Sequence, residues 1–303
     1  MTRDLVGRTV VVTGGNAGLG YFTAEQLSQR GARVVIASRN EAKAKRAIES
    51  LLREVENIEQ PSFVQLDLAD LASVSRAADE LAELPSIDVL VANAGITEGT
   101  AEAKTVDGFE SMFGTNHLGH FALISRLMPA LLATAGSRIV HLGSISHRFF
   151  ALDLEEHGSP ERFRSFQSYS RSKLAVMTFA FELDRRLREA GHGTRSIVAH
   201  PGFALDELTP LRTGVGPDER PGAVVQTLLR SFAQGKDAGA WPIVLAATDE
   251  YLRGGEYVGP AGWQQLHGRP RVTTAKAWSR DRTVAARLWQ RSEELTGTSL
   301  TLS

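Results

Sequence analysis

Tyr169 and Lys173 stand four residues apart in the run Gln167-Ser168-Tyr169-Ser170-Arg171-Ser172-Lys173-Leu174-Ala175. The continuation through Leu187 predicts one long helix, which would project both side chains from one face. An isolated phenol titrates near ~10, and a cation a few ångströms away favours the phenolate and draws that value toward neutrality. Such a phenol can give and take a proton at working pH. A Tyr/Lys pair at this spacing also occurs on ordinary amphipathic helices, so its meaning depends on what the rest of the chain sets around it.

A second chemistry lies in Thr13-Gly14-Gly15-Asn16-Ala17-Gly18-Leu19-Gly20, between the β-branched run Thr9-Val10-Val11-Val12 and a helical pattern from Tyr21 to Arg30. Glycines here let the backbone turn through positive φ and approach a ligand, while free N–H groups at a helix start bind phosphate. A plain tight loop is the alternative. Gly31 to Ala37 reads as a second strand, ending in Ser38-Arg39-Asn40, with Lys43 one turn into the next helix. An acidic residue at that end would bond the ribose 2′-hydroxyl of NAD, whereas a guanidinium and a hydroxyl suit the 2′-phosphate of NADP. The pattern therefore predicts NADP(H) in preference to NAD(H), unless Arg39 is simply solvated.

These groups need a scaffold of alternating elements. Phe63 to Leu66 reads as the third strand, ending in Asp67-Leu68; Val89 to Ala92 is the fourth, running into Asn93-Ala94-Gly95; Arg138 to Leu142 is the fifth, followed by Gly143-Ser144-Ile145-Ser146. Helices are predicted over 41–55, 69–82 and 107–134, the last containing Asn116, His117, Gly119 and His120. The alternation predicts a Rossmann-type, doubly wound parallel sheet of about seven strands in a single domain, with ligands at the carboxyl ends of the strands. Asp67 either pairs with an adenine amino group or caps the following helix. Asn116 either satisfies backbone at a kink or holds a water behind the site. His117 and His120 lack a third ligand at a recognisable spacing and read as packing residues, so no metal is predicted.

Composition excludes other classes. Lys plus Arg number 34 against 35 Asp plus Glu, which gives no electrostatic case for nucleic acid or an anionic membrane. There is no cysteine, excluding thiolate chemistry, and 42% hydrophobic residues suffice for a large core. No apolar run approaches the ~20 residues of a membrane span, and the start carries no apolar leader, so a cytoplasmic location is expected.

Taken in order, Thr13-Gly14-xxx-Gly18-x-Gly20, Asn93-Ala94-Gly95, Asn116, Ser144, Tyr169-xxx-Lys173 and Pro201-Gly202 resemble the short-chain dehydrogenase/reductase family over roughly residues 5 to 260. Ser38-Arg39-Asn40 and the stretch Asn116 to Phe121 resemble its retinol dehydrogenase and protochlorophyllide reductase branch. The resemblance implies a catalytic tetrad of Asn116, Ser144, Tyr169 and Lys173. Tyr169 would protonate a carbonyl oxygen held by Ser144, Lys173 would bind the nicotinamide ribose and lower the Tyr169 pKa, and Asn116 would support a water relay. It implies cofactor contacts at Gly14, Asn16, Ala17, Gly18, Leu19, Gly20, Ser38, Arg39, Asn40, Asp67, Leu68, Asn93, Ala94, Gly95, Pro201 and Gly202. It also implies pairing through the two long helices, as a homodimer or homotetramer.

Asp206 departs from the pattern, since the family commonly has a Thr there that contacts the nicotinamide amide. Ser146, Phe149, Phe150, Phe203 and Leu205 are expected to line a pocket for an apolar small molecule, with Phe163 and Phe166 on the same insertion. Thr209 to Pro221 is expected to form a lid, Gly255 to Val258 the last strand, and residues 261–303 an extension with a helix near 281–295. Two other functions fit a glycine turn with a Tyr/Lys pair: a nucleotide-sugar epimerase or dehydratase, and a non-enzymatic NADP(H) sensor.

Overall fold

The computed structural model describes residues 3–150, 152, 165–216, 219 and 221–302. Val10, Val11 and Val12 are wholly buried, with Val10 and Val12 in one apolar cluster and Val11 in the other. That period of two is a strand covered on both faces. The strand, β1 (Thr9–Thr13), lies inside an eight-stranded sheet with β2 (Arg33–Ser38), β3 (Ser62–Gln65), β4 (Val89–Ala92), β5 (Arg138–Leu142), β6 (Arg195–Ala199), β9 (Tyr257–Pro260) and β10 (Pro270–Thr273). Its order is β3-β2-β1-β4-β5-β6-β9-β10. Seven strands are parallel, as the alternation predicts, and β10 adds an antiparallel edge. Tyr257–Pro260 is therefore not the last strand.

Helices α1 (Gly18–Gln29), α2 (Glu41–Glu54) and α9 (Trp241–Thr248) cover one face; α3 (Leu71–Ala82), α5 (Gly119–Ala133) and α6 (Ser165–Glu189) cover the other. The chain leaves β1 toward β2 on one side and returns to β4 on the other, which opens a crevice above their carboxyl ends.

The helix predicted over 107–134 starts later and is not uniform. Glu110 caps a short turn, α4 (Ser111–Phe113), by accepting from Met112 N and Phe113 N, and a π turn over Gly114–Leu118 then runs into α5. The mid-helix glycines answer to crowding: a Cβ on Gly119 would lie 2.3 Å from the Leu68 carbonyl oxygen, and one on Gly114 would lie 2.3 Å from Thr105 Cγ2.

The extension belongs to the same body. β10 pairs with β9, and α10 (Arg282–Thr296) lays Trp289 against Phe121 and Phe179, with the Arg186 guanidinium over its ring. This covers the α5–α6 face through which pairing was expected. A separate parallel ribbon, β7 (Ala204–Leu205) with β8 (Gln234–Gly235), stands beside the crevice, flanked by α7 (Ala223–Leu229) and α8 (Lys236–Gly239).

Candidate active site

At the carboxyl end of β1, Thr13 ties two strands together. Its Oγ1 accepts from Asn93 N and Ala94 N, both at 3.0 Å, and Asn93 Nδ2 donates to the Thr13 carbonyl at 2.8 Å. Asn93-Ala94-Gly95 thus holds the floor of the crevice rigid. Gly14 and Gly18 have φ of +67° and +54°, and a Cβ on Gly20 would stand 2.3 Å from the Gly14 carbonyl oxygen. Only glycine builds this turn. α1 begins without a side-chain cap and without an acid in its first turn, leaving N–H groups and a positive helix end at the crevice.

At the end of β2, the buried Ser38 hydroxyl finds no partner among the described residues. Arg39 and Lys43 line the crevice beside it. Asn40 caps α2, its Oδ1 accepting from Lys43 N at 2.8 Å. Asp67 faces the crevice and accepts from Ala69 N at 2.9 Å; the cap of α3 is Asp70, so the capping alternative for Asp67 does not hold.

Ser144 follows β5 and stands on the same wall as the Tyr169 phenol, which α6 delivers close enough for the serine to act on its pKa. Burial pushes the Tyr169 phenol above its ordinary value, and Ser144 opposes that only in part. Lys173 Nζ is buried and donates to the Leu142 carbonyl at 3.0 Å, and burial draws its ammonium down to about 8. Burial is the largest influence on the phenol, and it works against the lowering expected from Lys173. Desolvation outweighs the attraction argued from the spacing.

Asn116 sits in the π turn behind this wall. Its Nδ2 donates to the Ile96 carbonyl at 3.0 Å and to Ser172 Oγ at 2.9 Å, and its Oδ1 accepts from Ile96 N at 2.8 Å. His120 Nδ1 meets the Asn116 carbonyl at 2.9 Å, and its Nε2 meets Thr13 Oγ1 at 2.9 Å. Burial holds His120 down to about 4, so it is neutral and donates from Nδ1 to that carbonyl. His117 Nε2 lies 2.8 Å from Ser292 Oγ of α10. Both histidines tie elements together. Among the described residues, no three side chains form a group that could hold a metal.

The family model for short chain dehydrogenase matches residues 8–216. The chain belongs to the short-chain dehydrogenase/reductase family. Retinol dehydrogenase 13 of Homo sapiens is 33% identical over 296 residues, which are 96% of this chain and 85% of that protein. Retinol dehydrogenase 12 of Mus musculus is 39% identical over 207 residues, 68% of this chain and 64% of that protein's length. A crystal structure of an uncharacterized protein from Mycobacterium Paratuberculosis has a TM-score of 0.78 at 37% identity, covering 100% of this chain and 99% of that one. These place the chain in the retinol dehydrogenase-like branch as an oxidoreductase.

In this short-chain dehydrogenase the crevice is one cleft of about 990 Å³, running from Arg39 and Asp67 past the glycine turn to Ser144, Tyr169 and Phe203. It gathers Gly14, Asn16, Ala17, Leu19, Gly20, Ser38, Arg39, Asn40, Asp67, Leu68, Asn93, Ala94, Gly95, Pro201 and Gly202 on its wall, with Ser146, Phe149, Phe166 and Leu205 at the far end. Three expected residues stand elsewhere. Asn116 is behind the wall, its side chain spent on Ile96 and Ser172. Phe150 packs on Phe166 without reaching the cleft. Gly18 is roofed by Lys236, whose Cδ and Nζ would each lie 3.4 Å from a Cβ there. Phe163 lies outside the described residues. Of the expected lid, residues 209–216 are pinned to α1 by Arg212, which donates to both Glu25 carboxylate oxygens at 2.6 and 2.9 Å; residues 217, 218 and 220 lie outside the described set.

The sequence did not point to Lys236 or Ser172. Lys236 is far in sequence from Gly18 and has no motif around it. Ser172 lies between Tyr169 and Lys173, but only the π turn brings Asn116 to it. Asp206, at the position of the usual Thr, accepts from Lys236 Nζ at 2.6 Å.

Proposed function

We propose that this oxidoreductase uses NADP(H), in preference to NAD(H), to interconvert a carbonyl and an alcohol on an apolar small molecule, with Tyr169 as the acid and base. The observation that carries this reading is the convergence of Ser144, the Tyr169 phenol and Lys173 on the wall of a cleft that leads to the glycine turn. The residues fit a dinucleotide. The glycine turn and bare α1 terminus suit its phosphates, and the orphaned Ser38 hydroxyl with Arg39 and Lys43 suits a 2′-phosphate.

When bound, the cofactor supplies or removes the hydride at the substrate carbon. Tyr169 Oη then gives its proton to the carbonyl oxygen as that oxygen gains electron density, and Ser144 Oγ donates a hydrogen bond to the same oxygen. Burial raises the phenol, so the resting site holds the proton that reduction needs. The Lys173 ammonium stabilises the phenolate left behind until solvent returns a proton. Asn116 acts as a positioning residue, holding Ser172 and the Ile96 loop. We assign the substrate to the apolar end by Phe149, Phe166, Phe203 and Leu205.

Residues 261–302 add β10 to the existing sheet and pack α10 on α5 and α6 without forming a separate substrate domain, which speaks against a nucleotide-sugar epimerase. Because α10 covers α5 and α6, we infer that any homodimer or homotetramer pairs through another surface. No described helix is long and apolar enough to cross a membrane, and we retain a cytoplasmic location as part of the proposal. Following NADPH absorbance against apolar aldehydes, ketones and quinones tests the reading: consumption by at least one class is expected, and none with NADPH would refute it.

A further inference from the structure

Asp206 is an awkward residue to find at a phosphate site, because a second anion beside the glycine turn would repel the ligand. The fold supplies its answer. β7 and β8 pair with Leu205 opposite Gly235, so the next residue of each strand, Asp206 and Lys236, emerge side by side. Their side chains meet at 2.6 Å, with Lys236 24% and Asp206 50% exposed. Lys236 is also fixed over α1. Thr209 Oγ1 accepts from its N–H at 2.9 Å, Gln26 Nε2 of α1 donates to the Asp237 carbonyl at 2.8 Å, and Gly239 packs so closely on Leu19 that a Cβ there would lie 2.8 Å from Leu19 Cδ2. The ammonium is thus held above Gly18, at the uncapped start of α1.

We propose that Lys236 is a ligand for the phosphate bridge of the dinucleotide, held in place by Asp206 until the bridge arrives and takes over the ion pair. The proposal rests on the dinucleotide reading of the cleft. Charge is the physical reason: an ammonium shared between a carboxylate and a phosphate bridge cancels the repulsion between them, whereas Asp206 alone would oppose binding. Lys236 therefore differs in role from Arg39, which stands where the 2′-phosphate would lie. Losing Lys236 should weaken NADP and NAD alike, because both carry the bridge. It should leave adenosine 2′-monophosphate, which has no bridge, unaffected.

The test is equilibrium binding to the full chain, read by calorimetry or quenching of tryptophan fluorescence. Lys236→Met is expected to raise the Kd for NADP⁺ and NAD⁺ by about tenfold or more each, with adenosine 2′-monophosphate binding within twofold of wild type as evidence that the cleft is intact. Lys236→Arg should recover most of the loss, and Asp206→Asn should bind as tightly as wild type or more so. Unchanged Kd values for both dinucleotides in Lys236→Met would overturn the proposal while leaving the dinucleotide reading intact. Weaker binding in Asp206→Asn, equal to that in Lys236→Met, would also overturn it, because the pair would then be a strap and not a reserve ligand. Wild-type protein that binds neither dinucleotide would overturn the reading and the proposal together.

Discussion

Lys173 Nζ donates to the Leu142 carbonyl at 3.0 Å, joining α6 to the end of β5 within 5% exposure. A buried ammonium drawn down to about 8 from 10.5 binds fewer protons in the folded than in the unfolded chain between those two values. Folding is therefore helped as pH rises through that window, and the full burial cost is felt below it. Relative to Lys173→Met, the wild type should gain up to roughly 3 kcal/mol between pH 8 and 10.5. Denaturant melts of both proteins at pH 7.5, 9 and 10.5 check this, and a difference that stays flat across the three would count against the buried-charge account.

Acid should destabilise the fold early. His120, His141 and His200 are buried and held down by desolvation to about 4, 3 and 3. Lowered histidines contribute stability above their unfolded value that is lost as pH falls below it, at roughly 2 kcal/mol for each by pH 5. Asp184, raised to about 6 by burial, acts in the opposite sense and offsets part of this. Urea midpoints should fall clearly from pH 7 to 5, and His141→Gln should fall less than the wild type.

Arg39 faces the cleft beside the orphaned Ser38 hydroxyl. Arg39→Asp replaces a phosphate-pairing cation with a carboxylate that accepts from a ribose hydroxyl and repels a phosphate. The ratio of NADPH to NADH affinity should drop by about tenfold or more. A wild type that already binds NADH at least as tightly as NADPH would contradict the cofactor assignment.

Gly20 has no room for a methyl group, since its Cβ would fall 2.3 Å from the Gly14 carbonyl oxygen and 2.5 Å from Asn93 Nδ2. Gly20→Ala should cost ~1–3 kcal/mol of stability and most of the dinucleotide affinity, because the turn can make room only by opening. Gly136→Ala, at a φ of +70° but in open space, serves as the comparison: it should lose stability and keep its binding.

The parallel strands were legible because short β-branched runs are local signals, and Val10 to Val12 carry theirs within three residues. Thr13, Asn93, Ser144, Tyr169 and Lys173 could be brought together in thought because each follows a strand or shares one helix face. Three things were not legible. The π turn at Asn116 lies between glycines packed against Thr105 and Leu68, contacts that helical spacing does not report. The pKa of Tyr169 is moved chiefly by burial, which spacing does not report. Lys236 reaches Gly18 only because β7 and β8 pair, and two-residue strands leave no periodicity to read. The extension hid its role for a similar reason: Trp289 packs on Phe121 and Phe179, far back in the chain.

The central claim is that the Tyr169 hydroxyl moves the proton while its neighbours hold the oxygen. Tyr169→Phe removes that one oxygen from the wall. Single-turnover reduction of a responsive carbonyl substrate by NADPH, measured beside the Kd for NADPH, tests the claim most directly. The account predicts a rate at least about a thousandfold lower with NADPH binding within a few-fold of wild type. A Tyr169→Phe protein that turns over within tenfold of wild type would contradict it.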